Sequence, residues 1–327
     1  MTDTTLIGLD WGTSSLRAYR LGSEGVVLEK RELPLGIMRL LGQNRPASDE
    51  RAALFERACR QACDGWLEAD PSIPVIGCGM IGSAQGWREA PYLAIPVDID
   101  SIGLSLTYVV GQNGIVLHIV PGLIEHSELP NVMRGEESQI TGALRIAARG
   151  KKAANGRNSS LLCLPGTHSK WVLVREDRIM HFETFMTGEL FSALCQHTIL
   201  GQTMRPSEDA SAFDRGVRVA QSSARRASLL SMIFSTRTLG LTGALEATQQ
   251  SDYLSGLLIG HEIASIQQGT DNSYFLQEIL LVGNSALCLR YKRALLHFGR
   301  VDVRIISDAT ERGLWTIAVQ GRLLERA

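Results

Sequence analysis

The sequence has almost no net charge, no long apolar run and no signal-like N-terminus. Its 33 basic residues nearly balance its 34 acidic residues, which argues against a general binder of nucleic acid or other polyanions. No apolar stretch approaches the roughly 20 residues that a membrane span requires. The chain also enters an apolar strand with no basic segment before it. These absences predict a soluble cytoplasmic protein with neither nucleic-acid nor membrane partners.

Metal-binding and disulfide patterns are also missing. The six cysteines are scattered through apolar segments, and Cys59 and Cys63 lie one helical turn apart without a second pair to complete a zinc site. The seven histidines show no spacing typical of metal ligands. We therefore expect free thiols in a reducing compartment.

The length and composition predict two globular domains. A chain of 327 residues with 44% hydrophobic content exceeds one typical small domain and can fill a large core. We place the domains at residues 1–114 and 115–327, because a new apolar strand begins the second part at residue 115.

The pattern of apolar residues predicts an α/β protein in which strands alternate with helices. In the first part, the predicted elements are a hairpin at 6–21, a strand at 26–35, a helix at 48–68 and a strand at 73–79. In the second part, they are a strand at 115–120, a polar connection at 121–134, a helix at 135–149, a basic link at 150–158, strands within 161–174 and 179–184, helices over 186–268, a strand at 278–283, a helix, a strand at 301–306 and a last helix. Asp308 and Glu311 have the spacing of a capping box at the start of that last helix.

The most informative motif is the turn of the first hairpin, D-W-G-T-S-S. An apolar strand ends at Asp10, and Gly12, Thr13 and Ser14 follow. Glycine allows a close backbone approach, and turn amides and hydroxyls can donate to phosphate oxygens. A carboxylate beside a phosphate requires a bridging cation, for which Mg²⁺ held through water is the natural candidate. The alternative is an ordinary hairpin turn.

Two later turns repeat this theme. P-G-T-H-S-K contains Gly166, Thr167 and Lys170 between two apolar strands. Two similar turns could therefore bind the phosphates of a nucleoside triphosphate from both sides. Gly283 and Asn284 follow another apolar strand and precede a helix, whose N-terminal amides would face a ligand. Taken singly, each is equally compatible with an ordinary turn.

Two further segments carry candidate chemical groups. Glu136 and Glu137 begin a helix, where a carboxylate can act as a general base or can simply complement the helix dipole. The glycine-rich stretch 79–88 offers polar groups suited to a polyhydroxy substrate, and an arginine there could pair with a carboxylate. The alternative interpretation of residues 79–88 is an ordinary surface loop. The candidate substrate-binding residues are Ser83, Gln85, Arg88 and, before the helix, Arg134.

Taken in order, these motifs resemble the sugar-kinase/Hsp70/actin superfamily across essentially the full chain. D-W-G-T-S-S resembles its first phosphate motif, P-G-T-H-S-K its second, and L-V-G-N-S its adenosine motif. V-I-G-C-G-M-I-G-S-A-Q-G-W-R-E-A-P-Y, M-R-G-E-E-S-Q and L-P-G-T-H-S-K-W-V are similar, more narrowly, to the 2-dehydro-3-deoxygalactonokinase family. Glutamate stands where related kinases carry a catalytic aspartate, and the adenosine motif has one glycine where relatives have more.

The resemblance implies two ribonuclease-H-like (actin-like ATPase) domains around a central cleft and an ATP- and Mg²⁺-dependent kinase. The implied reaction is phosphorylation of the 6-hydroxyl of 2-dehydro-3-deoxy-D-galactonate, and a homodimer is compatible with it. The implied domain roles are sugar-acid and phosphate contacts for the first domain, and ATP binding and the general base for the second. The implied site residues are Asp10 for hydrated Mg²⁺, Gly12, Thr13, Ser14, Gly166, Thr167 and Lys170 for the phosphates, Gly283 and Asn284 for adenosine, Glu136 or Glu137 as general base, Ser83, Gln85, Arg88 and Arg134 for the substrate, and Arg17 with Lys170 for the developing charge.

Two alternatives stay open. One is a kinase of the same fold for another substrate, such as 2-dehydro-3-deoxygluconate or an amino sugar. The other is a non-catalytic ATP-binding switch, as in chaperone or actin relatives.

Overall fold

The computed structural model describes residues 4–42, 47–149, 159–223, 228–269 and 275–325. The chain forms two compact units. The first unit comprises Met1–Asn158, Arg175–His181 and Asp308–Ala327, and the second comprises Ser159–Val174 and Phe182–Ser307. The predicted boundary after residue 114 is therefore wrong. It falls in the turn between Thr107–Val110 and Val116–Ile119, two strands that pair antiparallel within the first unit. The predicted link at 150–158 lies outside the described residues.

The first unit combines a large sheet, a small sheet and helices. Its strands are β1 (Leu6–Trp11), β2 (Leu16–Leu21), β3 (Val27–Leu33), β4 (Val75–Gly79), β5 (Tyr92–Ala94), β6 (Val97–Asp98), β7 (Thr107–Val110), β8 (Val116–Ile119), β9 (Gly122–Glu125) and β10 (Asn131–Met133). Its helices are α1 (Ile37–Leu41), α2 (Ser48–Ala62), α3 (Trp66–Ala69), α4 (Glu136–Arg149) and α10 (Ala309–Gln320).

The large sheet of the first unit has the strand order β3-β2-β1-β4-β8-β7. β1, β2 and β3 form an antiparallel meander, whereas β4 and β8 extend the sheet parallel to β1. Every residue of β1 is buried, which is typical of a strand covered on both faces. One core, which includes Leu9, Phe55 and Leu117, joins this sheet to α2.

Helices α4 and α10 cross in close contact because each places a glycine at the crossing. A Cβ on Gly142 would lie 1.8 Å from the Ala309 carbonyl oxygen, and a Cβ on Gly313 would lie 1.8 Å from that of Ser138. This packing fixes the start of α4, where the candidate general bases lie.

The second unit repeats the same sheet. Its strands are β11 (Ser159–Leu164), β12 (Ser169–Arg175), β13 (Arg178–Phe185), β14 (Glu278–Val282) and β15 (Val303–Ile306). Its helices are α5 (Thr187–His197), α6 (Ala210–Ser223), α7 (Leu229–Leu241), α8 (Gln250–Gln268) and α9 (Ser285–His297). The end of β12 and the first part of β13 lie within Arg175–His181, which belongs to the first unit. There Ile179 of β13 pairs with Val97 of β6.

The strand order β13-β12-β11-β14-β15 corresponds to β3-β2-β1-β4-β8 of the first unit. β14 is parallel to β11, and β15 is parallel to β14. Two successive sheets with the order 3-2-1-4-5 are the ribonuclease-H-like arrangement. The predicted fold class, an α/β protein of two such domains, is confirmed.

Three local predictions need correction. The helix predicted at 48–68 ends at Ala62, because Gly65 adopts a left-handed conformation (φ 76°) and begins the separate helix α3. The polar connection at 121–134 contains β9 and β10, which pair with each other. No capping box forms, since Asp308 is left-handed (φ 57°) and Glu311 instead binds the Lys30 ammonium at 3.1 Å.

All six cysteines are free thiols, as predicted. Within the described ranges, no helix is both long enough and apolar enough to cross a membrane.

Candidate active site

The first Gly-Thr turn presents its hydroxyl side chains outward. The Gly12 amide donates to the Ser15 carbonyl at 2.9 Å and closes the turn between β1 and β2. The carbonyls of Gly12, Thr13 and Ser14 accept bonds from the first amides of the segment that begins α1, at 3.1, 3.1 and 3.3 Å. Thr13 and Ser14 are exposed. The start of α1 therefore fixes the backbone of the turn, while the side chains of Thr13 and Ser14 face solvent.

Gly36, at the N-terminus of α1, makes this packing possible. A Cβ there would lie 2.2 Å from the Ser14 carbonyl carbon and 2.4 Å from the Ser14 nitrogen. Gly36 belongs to none of the sequence motifs, and its only signal in the sequence is a glycine directly before a short apolar segment.

Asp10 lies at the end of β1 and is only 9% exposed. Its carboxylate pairs with the Arg17 guanidinium at 3.3 Å, and the Cys78 thiol donates to it with the sulfur 4.0 Å away. Burial raises the pKa of Asp10, while Arg17 opposes that rise and the negative charges of Glu311 and Glu136 add to it. The Lys30 ammonium acts in the same direction as Arg17, so that two cations and two anions surround the carboxylate.

The loop after β4 and the start of α4 meet β1 at one edge of the sheet. β1 and β4 run parallel, so that Asp10 lies beside Cys78 and Trp11 beside Gly79. Gly79 has φ 84°, and a Cβ on it would lie 2.6 Å from the Trp11 carbonyl oxygen. A Cβ on Gly135 would lie 3.2 Å from the Gly79 Cα. The carboxyl edge of the parallel strands thus gathers Asp10 and the two glutamates, as expected for a ligand site in an α/β sheet.

The structure separates the two candidate bases. Glu137 has no exposed surface, and its carboxylate accepts bonds from the Gly135 amide at 2.6 Å and the Ser138 hydroxyl at 3.2 Å. Burial, reinforced by the negative charge of Glu136, raises the pKa of Glu137 to about 8. Glu136 is only partly buried and accepts a bond from the Arg134 amide at 3.0 Å. Both residues belong to the first unit, whereas the sequence analysis placed them in the second domain, so their predicted domain is wrong.

The glycine-rich stretch 79–88 is partly core rather than a surface loop. Ile81 is fully buried and Trp87 is 7% exposed, because both belong to the core of the first unit. Ser83 donates its hydroxyl to the Met80 carbonyl at 2.8 Å, which makes it part of the loop's own structure. Gln85 is exposed.

The two candidate substrate arginines have different neighbours. Arg134 donates to the Ala90 carbonyl at 2.8 Å, and its guanidinium stacks on the Tyr92 ring at 4.3 Å. Its Nε and Nη1 atoms are buried and have no hydrogen-bond partner among the described residues. Arg88 is exposed and lines a surface pocket with residues 106–110.

The second Gly-Thr turn is built like the first. Thr167 is exposed, and its carbonyl accepts a bond from the Glu189 amide at 2.9 Å. A Cβ on Gly188 would lie 2.3 Å from the Gly166 carbonyl oxygen, so a glycine at the start of α5 again supports the turn. His168 pairs with Glu189 at 2.5 Å. Lys170 is 5% exposed, and its ammonium donates to the His168 carbonyl at 3.4 Å.

Gly283 and Asn284 lie beside this second turn. They follow β14, the parallel neighbour of β11, and a Cβ on Gly283 would lie 3.4 Å from the Pro165 carbonyl oxygen. Asn284 caps α9 by accepting a bond from the Leu287 amide at 3.2 Å. The predicted phosphate and adenosine motifs of the second unit therefore share one edge of its sheet.

The fit of a magnesium ion rests on Asp10. Within the described parts of the chain, no group of three or more His, Cys, Asp or Glu side chains is arranged to hold a metal. Mg²⁺ keeps several waters and phosphate ligands and needs only one or two carboxylates. A single carboxylate beside a phosphate-type turn fits that requirement.

Two ribonuclease-H-like units, each with a Gly-Thr turn at the carboxyl edge of its sheet, define a protein of the actin-like ATPase class, to which the sugar kinases belong. The sequence model of the 2-keto-3-deoxy-galactonokinase family matches residues 10–317. The chain belongs to this family and is an ATP-dependent carbohydrate kinase.

Individual relatives agree with this assignment. The 2-dehydro-3-deoxygalactonokinase of Escherichia coli (strain K12) is 37% identical over 316 residues, which cover 95% of this chain and 97% of that protein. The Rhizobium meliloti (strain 1021) protein DgoK1, assigned the same activity, is 34% identical over 94% of this chain and 97% of its own. A crystal structure of a Sinorhizobium meliloti protein assigned as a 2-dehydro-3-deoxygalactonokinase has a TM-score of 0.78 at 34% identity and covers 96% of this chain and 98% of that one.

Proposed function

We propose that the protein transfers the terminal phosphoryl group of ATP to the 6-hydroxyl of 2-dehydro-3-deoxy-D-galactonate, giving the 6-phosphate in galactonate breakdown. The observation that carries this proposal is the near-full-length match to the E. coli 2-dehydro-3-deoxygalactonokinase. The agreement of the fold and of both Gly-Thr turns with a phosphoryl-transfer enzyme supports it.

Glu136 is the candidate general base. A base must be accessible to the sugar hydroxyl and able to accept a proton, and Glu137 is fully buried with its pKa raised to about 8 by burial. Glu136 is partly exposed at the same helix start. It would take the hydroxyl proton as the new O–P bond forms and the bond from the terminal phosphorus to the bridging oxygen of ATP breaks, releasing ADP.

The phosphates have candidate contacts in each unit. In the first unit these are the Gly12 backbone and the exposed hydroxyls of Thr13 and Ser14. In the second unit they are the turn at Gly166 and Thr167 and the buried Lys170 that follows it on β12. The adenosine motif at 283–284 lies beside this turn. Phosphoryl transfer depends mainly on positioning and on charge neutralisation.

Asp10 is the candidate holder of Mg²⁺, through water. When bound, Mg²⁺ neutralises charge on the phosphate oxygens. Arg17, paired with Asp10 at 3.3 Å, fixes the orientation of that carboxylate.

Arg88 is the candidate for binding the acid group of the substrate. Its side chain is exposed, and a guanidinium matches a carboxylate with two parallel hydrogen bonds. Arg134 is engaged by Ala90 and Tyr92, so its role in this proposal is to hold the loop against the start of α4. Ser83 and Gln85 flank this region, and Gln85 is exposed to reach sugar hydroxyls.

The first experiment is ADP release in a coupled assay with Mg-ATP over a panel of 2-keto-3-deoxy sugar acids and common hexoses. Selective turnover of 2-dehydro-3-deoxygalactonate is the expected result. Turnover of 2-dehydro-3-deoxygluconate or an amino sugar alone would keep the kinase and reject the substrate. ATP binding without any turnover would favour a non-catalytic switch.

Matched variants test the base in the same assay. Glu136→Gln should lower kcat by about 100-fold or more, the usual effect of losing a general base. Glu137→Gln, next in sequence but buried, should retain a larger share of kcat. The reverse order would assign the base to Glu137.

A further inference from the structure

Glu262 of α8 is a buried carboxylate that accepts side-chain hydrogen bonds from three different elements. It is 2% exposed. The Trp171 indole donates to its Oε1 atom at 2.7 Å, and the Tyr291 hydroxyl donates to its Oε2 atom at 2.8 Å. The Thr187 hydroxyl also donates to Oε2. None of the sequence motifs includes Glu262.

Each donor belongs to an element that shapes the candidate nucleotide site of the second unit. Trp171 lies on β12, which begins directly after the turn at Gly166 and Thr167. Thr187 is the first residue of α5 and precedes Gly188 and Glu189, the two residues that pack against and bond to that turn. One carboxylate thus holds the strand that leaves the turn and the helix that supports it.

The third donor lies on the helix that follows the adenosine motif. Tyr291 lies on α9, which Asn284 caps immediately after Gly283. The Tyr291 hydroxyl also bonds to the Ser169 hydroxyl at 2.8 Å, and Ser169 is fully buried two residues after Thr167. The network therefore connects α9 in two ways to β12, the strand that follows the Gly166–Thr167 turn. One connection runs through Glu262 and Trp171, and the other through Ser169.

We infer that Glu262 is a positioning residue for nucleotide binding, which fixes the distance between the Gly166–Thr167 turn, the start of α5 and α9. The inference rests on the proposed function of that turn. A buried acceptor whose donors come from three elements is satisfied in only one arrangement of those elements, because an unpaired buried donor is costly. Glu262 therefore acts on ATP through the backbone of the turn.

The test compares Glu262→Leu, Glu262→Gln and Tyr291→Phe with the wild type. Mg-ATP binding is measured by calorimetry, and KM is measured separately for ATP and for the sugar acid. In Glu262→Leu we expect the Kd for Mg-ATP to rise about tenfold or more, the equivalent of ~1.4 kcal/mol. The KM for the sugar acid should stay within about twofold.

The conservative variants report on the hydrogen bonds themselves. Glu262→Gln keeps an acceptor for Trp171 and a polar group for the two hydroxyls, so it should restore most of the ATP affinity. Tyr291→Phe removes a single link with little change of shape and should raise the Kd for Mg-ATP by about threefold.

Glu56→Gln is the control. Glu56 lies on α2 of the first unit, is 4% exposed and accepts bonds from the Gln112 and Asn113 amides, both at 2.8 Å. It is a buried carboxylate with several donors, and none of these groups belongs to the second unit. This variant should lower Tm and leave the Kd for Mg-ATP unchanged.

The outcomes separate the inference from the proposed function. A wild-type protein that does not bind Mg-ATP would overturn the proposed function. A wild type that binds, with unchanged Kd in Glu262→Leu and Tyr291→Phe, would overturn the positioning role alone, even if both variants unfold at lower temperature. If Glu262→Leu does not fold, the Kd of Tyr291→Phe decides in the same way.

Discussion

Two buried carboxyl groups at the same edge of the first sheet have different surroundings. Asp10 has the Arg17 guanidinium at 3.3 Å, whereas the hydrogen bonds to the Glu137 carboxylate come from uncharged groups, among them the Gly135 amide and the Ser138 hydroxyl. A charged partner favours the ionised form of a buried acid, and its absence favours the neutral form. The proposed roles follow this difference, with Asp10 as the charged group and Glu137 as a structural acid.

Replacement of Asp10 by asparagine tests the first role. Asp10→Asn should lower kcat by about 100-fold or more, because the carboxylate charge is lost while the side chain keeps its size. Circular dichroism and Tm should change little. The control is Glu29→Gln, which removes a partly exposed carboxylate bound to Arg31 at 2.8 Å and should leave kcat unchanged. A near-wild-type kcat for Asp10→Asn would reject the metal assignment.

The second role predicts a pH dependence of stability. In the folded protein Glu137 keeps its proton up to a pKa of about 8, whereas its ordinary value is 4.5. Between these values the unfolded chain binds fewer protons, so the free energy of unfolding falls as pH rises. In Glu137→Gln this contribution is absent. Urea unfolding from about pH 5 to pH 8 should therefore show the wild type losing on the order of 3 kcal/mol more than the variant. Parallel curves would contradict the raised pKa.

At the scale of elements, both Gly-Thr turns are supported in the same way. The turn after β1 packs against Gly36 at the start of α1, and the turn after β11 packs against Gly188 at the start of α5. In each case a helix amide bonds to a turn carbonyl, Met38 to Thr13 and Glu189 to Thr167. The repeat thus extends beyond the turn itself to the helix that follows the third strand of each unit.

The Gly188→Ala variant tests this support. A methyl group there would lie 2.3 Å from the Gly166 carbonyl oxygen, so the turn or α5 must move. We expect the KM for ATP to rise several-fold and the stability to fall by about 1–3 kcal/mol, the usual range for overpacking. The control is Gly269→Ala at the end of α8, where the nearest atom would be 3.3 Å away. Equal effects of the two substitutions on KM would show that the contact at Gly188 has no special role.

At the scale of the whole molecule, the thiols report on the two cores. Five of the six cysteines are buried and only Cys195 is partly exposed. Cys59 and Cys63 lie in the core of the first unit, and Cys163 and Cys288 lie in that of the second. Buried thiols are protected from reagents as long as the fold is intact.

Thiol titration with a coloured disulfide reagent should therefore show about one fast-reacting group in the native protein and all six after denaturation. The Tm should be the same with and without reductant, since no disulfide contributes to stability. Cys195→Ser should remove the fast phase. Several fast groups in the native wild type would contradict the burial of these side chains.

The repeated turns, most of the strands and the superfamily are predictable from the sequence alone. They are local properties, because an apolar strand followed by Gly-Thr is a pattern of consecutive residues. The other features depend on the folded structure. It placed residues 115–149 in the first unit, distinguished Glu136 from Glu137, engaged Arg134 with Tyr92 and made Glu262 a link among three elements. Each of these depends on burial and on partners far away in the chain, as with Glu262 and Trp171, 91 residues apart. Only the folded chain brings such groups together.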